Sequence, residues 1–87
     1  MNIRGINHLL FSVSDLENSI EFYEAVFNAK LLVKGRTTAY FDLKGIWLAL
    51  NEERNIPRRD IEYSYTHIAF SVNEGDFDVC IDHLKQL

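Results

Sequence analysis

A six-residue segment occurs twice in this chain, and the repetition constrains the fold more than any single motif. His8-Leu9-Leu10-Phe11-Ser12-Val13 matches His67-Ile68-Ala69-Phe70-Ser71-Val72, 59 positions later, with four identities and one Leu/Ile exchange. Past the match the spacing widens to 61, aligning Asp15 with Asp76, Leu16 with Phe77 and Ile20 with Ile81. The two added residues fall near Asn73-Glu74-Gly75, where a strand-to-helix turn tolerates insertion. Self-similarity at a fixed period marks a duplicated supersecondary unit. Shared strand preference alone also gives short matches, but not the amphipathic helix pattern that follows both copies.

The first copy reads as strand, helix and three strands, an α+β arrangement of the βαβββ type. Residues 6–13 alternate as a strand. Ser14 followed three residues later by Glu17 has the form of a capping box and predicts Ser14 as the N-cap. Leu16, Ile20, Tyr23 and Phe27 then form one apolar helical stripe, with Glu17, Glu21 and Glu24 on the wet side and Asn28 as C-cap. Residues 30–34 and 38–43 read as strands separated by a turn at Gly35, and Lys44-Gly45 is a two-residue hairpin connection into a fourth strand, 46–51. A charged stretch with Pro57, residues 52–64, reads as a linker in which Glu52 and Glu53 are solvated. The second copy begins as a strand at Tyr65 and continues into a helix with Phe77, Cys80, Ile81 and Leu84 on one stripe and His83 at the surface. The organisation is thus one complete module over 1–59 and the first strand and helix of a second over 60–87. A second copy that stops before its last three strands reads as part of a longer protein rather than a minimal form completed by a partner.

Composition narrows the function classes. Thirteen acidic residues against nine basic ones give a net charge of −4, the wrong sign for binding a phosphate backbone. The apolar runs are too short to cross a membrane and the first residues lack a signal-peptide core, so a cytoplasmic protein is expected. Cys80 is the single cysteine, which leaves no intrachain disulfide, and on a helix stripe it reads as packing rather than as a nucleophile. No phosphate loop, dinucleotide fingerprint or nucleophile elbow occurs.

Strand alternation sorts the side chains into two faces. Leu9, Phe11 and Val13, with Ala39, Phe41, Leu43, Ile46, Leu48 and Leu50, form the large apolar set that should meet the helix. The opposite face receives His8, Ser12, Tyr40, Trp47, Ala49 and Asn51 from the first copy, and His67 and Ser71 from the second. Two histidines, a tyrosine, a tryptophan and an asparagine among small spacers describe a lined pocket with a few polar groups. Two imidazoles at matching repeat positions would converge near the axis relating the copies, as ligands to a divalent metal. The plainer alternative is that each is a satisfied, half-buried sheet histidine. Two nitrogens make a weak site, and a third ligand, a carboxylate, would be needed.

The opening H-x-x-F-S-V…D-L-x-x-S-I-x-F-Y, the run from Ala39 to Glu53, I-P-R and S-Y-T-H-I-A-F-S-V resemble one family, the fosfomycin-resistance metallothiol transferases of the bacillithiol-using branch. That family lies within the vicinal oxygen chelate superfamily, with glyoxalase I, extradiol dioxygenases and bleomycin-binding proteins. The resemblance implies that His8 and His67 are two of three protein ligands to Mg²⁺ or Mn²⁺. It also implies that the third, a Glu important for catalysis, lies beyond Leu87, so that no catalytic residue is expected within this chain. Tyr40, Trp47 and Asn51 match positions lining the family's antibiotic pocket. Leu10 departs from relatives that carry a Cys beside the metal. The implied reaction is opening of the fosfomycin epoxide by the low-molecular-weight thiol bacillithiol, in a homodimer whose modules pair between chains. The alternatives on the same fold are a non-catalytic drug- or anion-binding module, a glyoxalase-like isomerase, or an epoxide hydrolase.

Overall fold

The computed structural model describes residues 1–57 and 69–87, in two compact units, Met1–Ile56 and Pro57–Leu87. The first unit runs β1 (His8–Val13), α1 (Leu16–Phe27), β2 (Lys30–Lys34), β3 (Thr38–Leu43) and β4 (Ile46–Glu52). These strands form one sheet in the order β1-β4-β3-β2. β1 and β4 run parallel, with His8 opposite Trp47 and Ser12 opposite Asn51. β4–β3 and β3–β2 are antiparallel. The expected βαβββ module is therefore present, and this is a mixed α+β fold.

Local chemistry explains most element ends. Lys44 (φ 53°) and Gly45 (φ 92°) both take positive φ, the pattern of a type I′ turn, whose twist matches that of the strands it joins. The Asp42 side chain accepts the Gly45 N–H at 3.0 Å, holding the turn closed. Asn28 ends α1 in the left-handed conformation (φ 53°, ψ 34°) with its N–H returned to the Glu24 carbonyl, as a C-terminal αL residue does.

The start of α1 corrects the capping expectation. Asp15, not Ser14, is the N-cap: it is extended (φ −142°, ψ 109°) and its side chain accepts the Asn18 N–H at 3.0 Å. Helix entry one residue later puts Glu17 at the second helical position, out of reach of a capping box, and Glu17 pairs with Lys34 at 2.6 Å instead. Glu52, expected as a solvated linker charge, ends β4 and accepts the Leu16 N–H at 2.8 Å. One further helix-end donor is thus satisfied by a residue distant in sequence.

The core lies between α1 and one face of the sheet: Leu16, Ile20, Ala29, Ala39, Phe41, Leu48 and Leu50, with Leu9, Phe11, Val13, Tyr23, Leu31 and Leu43 packed around it. Two expectations change. Ile46 is 37% exposed, because it follows the hairpin at the end of the sheet, past the cover that α1 gives. Ala49, on the opposite face, is 2% exposed; it sits on an inner strand between Leu10 and Tyr40 in register.

In the second unit a 3-10 turn, Glu74–Asp76, precedes α2, Phe77–Lys85. Asp76 is the N-cap residue and Phe77 the first helical residue of α2, as Asp15 and Leu16 are for α1. The shifted offset thus aligns helix starts, and the added residues fall in the 3-10 turn. The expected strand from Tyr65 lies partly outside the described residues, and its described part, residues 69–72, is not in a strand. In the first unit the matching strand obtains its ladder from β4. The α2 stripe has no buried member: Phe77 and Leu84 are exposed, while Cys80 and Ile81 are half-buried. His83, expected at the surface, is half-buried.

Candidate functional site

The face of the sheet away from α1 carries three cross-strand rows, set by register. His8, Trp47 and Asp42 form one row, and Leu10, Ala49, Tyr40 and Val33 the next. Ser12, Asn51 and Thr38 form a third. Tyr40 and Trp47 lie diagonally across β3 and β4, their rings meeting edge-on with centroids 6.4 Å apart and planes at 65°. Diagonal neighbours are within reach of aromatic side chains.

An open groove of about 590 Å³ is lined by Asn7, His8, Leu32, Val33, Tyr40 and Trp47. Its far wall comes from an irregularity in β2. The register shifts between Leu31 and Val33, leaving Leu32 as the extra residue of a bulge, so that two consecutive side chains, Leu32 and Val33, line the same groove. Simple alternation in the sequence hides this wall, because an inserted residue breaks the two-residue period.

The histidine is held in a defined state. His8 Nδ1 lies 2.8 Å from Asn7 Oδ1. An amide oxygen only accepts, so Nδ1 donates this bond. The Asn7 carbonyl in turn accepts the Trp47 N–H at 3.2 Å. Sequence reasoning missed Asn7, because continuing the strand back to Ile6 assigns Asn7 to the opposite face from His8. β1 begins at His8, and Asn7 lines the groove with it.

The structure therefore brings His8, Tyr40 and Trp47 to one groove. Asn51 shares their face but lies four residues farther along β4, about 13 Å at roughly 3.3 Å per residue, and does not line the groove. His67 lies outside the described residues. Among the described residues no group of three or more His, Cys, Asp or Glu side chains is placed to hold a metal. His8 nonetheless has one ring nitrogen engaged by a neighbouring acceptor, the arrangement that orients a ligating histidine.

Charge near the site is modest. Glu52 has its carboxyl held below the ordinary range by the Leu16 N–H first and by Arg54, which it meets at 2.7 Å. The Tyr23 hydroxyl, on the helix side of the sheet, is pushed up by burial. No described helix is long and apolar enough to cross a membrane.

Comparison with known proteins follows the same lines. A family model described as the Glyoxalase/Bleomycin resistance protein/Dioxygenase superfamily matches residues 5–87. The chain is 68% identical over 87 residues to the metallothiol transferase FosB of Lysinibacillus sphaericus, covering 100% of this chain and 62% of that protein. It is 60% identical over 84 residues to FosB of Staphylococcus epidermidis, covering 97% and 60%. Among solved structures it resembles the fosfomycin resistance protein FosX of Mesorhizobium loti (TM-score 0.75, 28% identity, 98% of this chain and 70% of that one). It also resembles FosX of Listeria monocytogenes complexed with Mn(II) and sulfate (TM-score 0.77, 26% identity, 98% and 65%). The chain spans about 60% of the length of these curated relatives.

Proposed function

The chain belongs to the glyoxalase/bleomycin resistance protein/dioxygenase superfamily, and from that membership we propose that the protein it represents is a metal-dependent thiol transferase acting on fosfomycin. In this reading bacillithiol opens the epoxide and so inactivates the antibiotic. The observation that carries the reading is the meeting of His8 with the Tyr40–Trp47 corner in one groove. The identity to FosB proteins along the whole chain supports it.

His8 and His67 would hold a divalent ion, Mg²⁺ or Mn²⁺, with a carboxylate from residues after Leu87. When bound, such an ion supplies Lewis-acid stabilisation of negative charge developing on oxygen. His8 would contribute its imidazole through Nε2, since Nδ1 is spent on Asn7. Trp47 and Tyr40 give the groove an aromatic flank that would position a small substrate. In the reaction the thiolate sulfur bonds to an epoxide carbon and the C–O bond breaks. The proton that left sulfur ends on the opened oxygen, so atoms balance. A thiol with a substantial thiolate fraction needs no strong protein base.

Residues 1–59 act in this reading as one complete module and 60–87 as the opening of a second, in a cytoplasmic homodimer. Asn51 remains a candidate for the part of the substrates farther along the sheet. The test is mass spectrometry after incubating the complete protein with fosfomycin, bacillithiol and Mn²⁺. A bacillithiol adduct is expected. A diol would indicate a hydrolase, and unchanged drug with measurable binding would indicate a non-catalytic binding module.

A further inference from the structure

We infer that Asn7 is the positioning residue for His8: its side-chain amide fixes the imidazole as the Nδ1–H tautomer and so presents Nε2 as the ligand atom. This rests on the metal-binding reading of His8 given above. Three observations converge on it. The Asn7 Oδ1 to His8 Nδ1 separation is 2.8 Å, a hydrogen bond whose direction the amide oxygen dictates. Both residues line the groove occupied by Tyr40 and Trp47. The Asn7 backbone is itself fixed, its carbonyl accepting the Trp47 N–H at 3.2 Å, so the amide hangs from the sheet rather than from a free terminus.

The physical consequence is a choice between two ring nitrogens. A neutral imidazole offers one lone pair, and the nitrogen that donates a hydrogen bond cannot bind a cation. Without the Asn7 acceptor, His8 would interconvert between tautomers and turn about its side-chain torsions, and only part of the population would present Nε2. Partners that fix a ligating histidine in this way are typically worth a 10–100-fold change in metal affinity. Glu, Asp or backbone carbonyls often fill this role. Here a neighbour in sequence does so, possible because Asn7 stands just before β1 and is not bound to strand alternation.

Long-range ¹H–¹⁵N spectra of the imidazole nitrogens, recorded on the metal-free chain near about pH 8.5, where histidines are neutral, test the assignment. The expected spectrum shows His8 protonated on Nδ1, while Asn7→Leu and Asn7→Ala move it toward the Nε2–H form. Mn²⁺ titration of the complete protein, read by paramagnetic broadening of the Trp47 indole signal, should show roughly 10–100-fold weaker binding in both variants. Asn7→Asp, which keeps an acceptor at the same place, should restore the tautomer and most of the affinity. Circular dichroism identifies any variant that fails to fold, and a second acceptor-free variant keeps the comparison open. An unchanged tautomer with unchanged Mn²⁺ affinity in a folded acceptor-free variant would overturn the inference. A tautomer shift in a complete protein that binds no Mn²⁺ would support Asn7 as the positioning residue and overturn the metal reading instead.

Discussion

The carboxylate of Glu52, at the end of β4, accepts the backbone N–H of Leu16, the first residue of α1, at 2.8 Å. Three neighbouring bonds strengthen the same junction. Glu53 N–H meets the Val13 carbonyl at 2.8 Å, Glu52 N–H meets the Thr37 carbonyl at 2.7 Å, and Arg54 meets the Glu52 carboxylate at 2.7 Å. A negative charge at a helix N-terminus is favourable both as a hydrogen-bond acceptor and through the helix dipole.

Glu52→Ala should therefore lower the urea midpoint, and Glu52→Gln, which keeps an acceptor without the charge, should lower it less. The pH dependence follows from the depressed carboxyl. Stability from Glu52 is fully present above the unfolded glutamate value, about 4.3, and is lost as the pH falls through the lower folded value. Urea titrations at pH 7 and pH 2 should show the wild type and Glu52→Ala converging at the acid end. An undiminished gap there would remove the carboxylate from the account.

Phe41→Ala should cost about 3–5 kcal/mol and Leu50→Ala about 2–5 kcal/mol, since both side chains are fully buried. Ile46→Ala, on the same face by alternation, should cost well under half as much because Ile46 is 37% exposed. Chemical denaturation of the three variants ranks them directly.

Gly45→Ala should destabilise by about 1 kcal/mol, since Gly45 holds φ 92° and a Cβ is costly there. Lys44→Asn should be neutral or stabilising, because Asn tolerates the left-handed conformation that Lys44 adopts. Thermal melts should show a lowered midpoint for Gly45→Ala and an unchanged or raised one for Lys44→Asn.

Trp47 is the single tryptophan of the chain, and in register it stands opposite His8. Mn²⁺ bound through His8 should quench its fluorescence, and His8→Ala in the complete protein should abolish the quenching without shifting the thermal midpoint, because His8 is exposed. Loss of folding in His8→Ala would instead assign the ring a structural role. Under the proposed function, Trp47→Ala in the complete protein should raise KM for fosfomycin more than it lowers kcat.

Local periodicity carried much of this fold. The alternation of Leu9, Phe11 and Val13 with His8, Leu10 and Ser12 gave the faces of β1, and Lys44-Gly45 gave a hairpin turn without any tertiary information. What escaped was non-local. The acceptor for Leu16 comes from Glu52, 36 residues away, and no window around Ser14 reveals it. Alternation assigned Ile46 a face but not how far α1 reaches along the sheet. For the site, it placed His8, Tyr40, Trp47 and Asn51 together on one face, while strand length put Asn51 beyond the groove. Leu32 and Asn7 were invisible for one reason: a bulge and a strand end both suspend the period that the reading relied on.

The parallel pairing of β1 with β4 also orders assembly. β2, β3 and β4 are joined by short turns and close quickly, whereas β1 must wait for a strand 39 positions downstream, His8 to Trp47, and distant contacts form later than local ones. On a ribosome, β1 would emerge before β2, β3 and β4 and be seated after them, docking onto a meander already made. Errors in that final docking would leave a sound meander whose groove lacks the wall that carries His8.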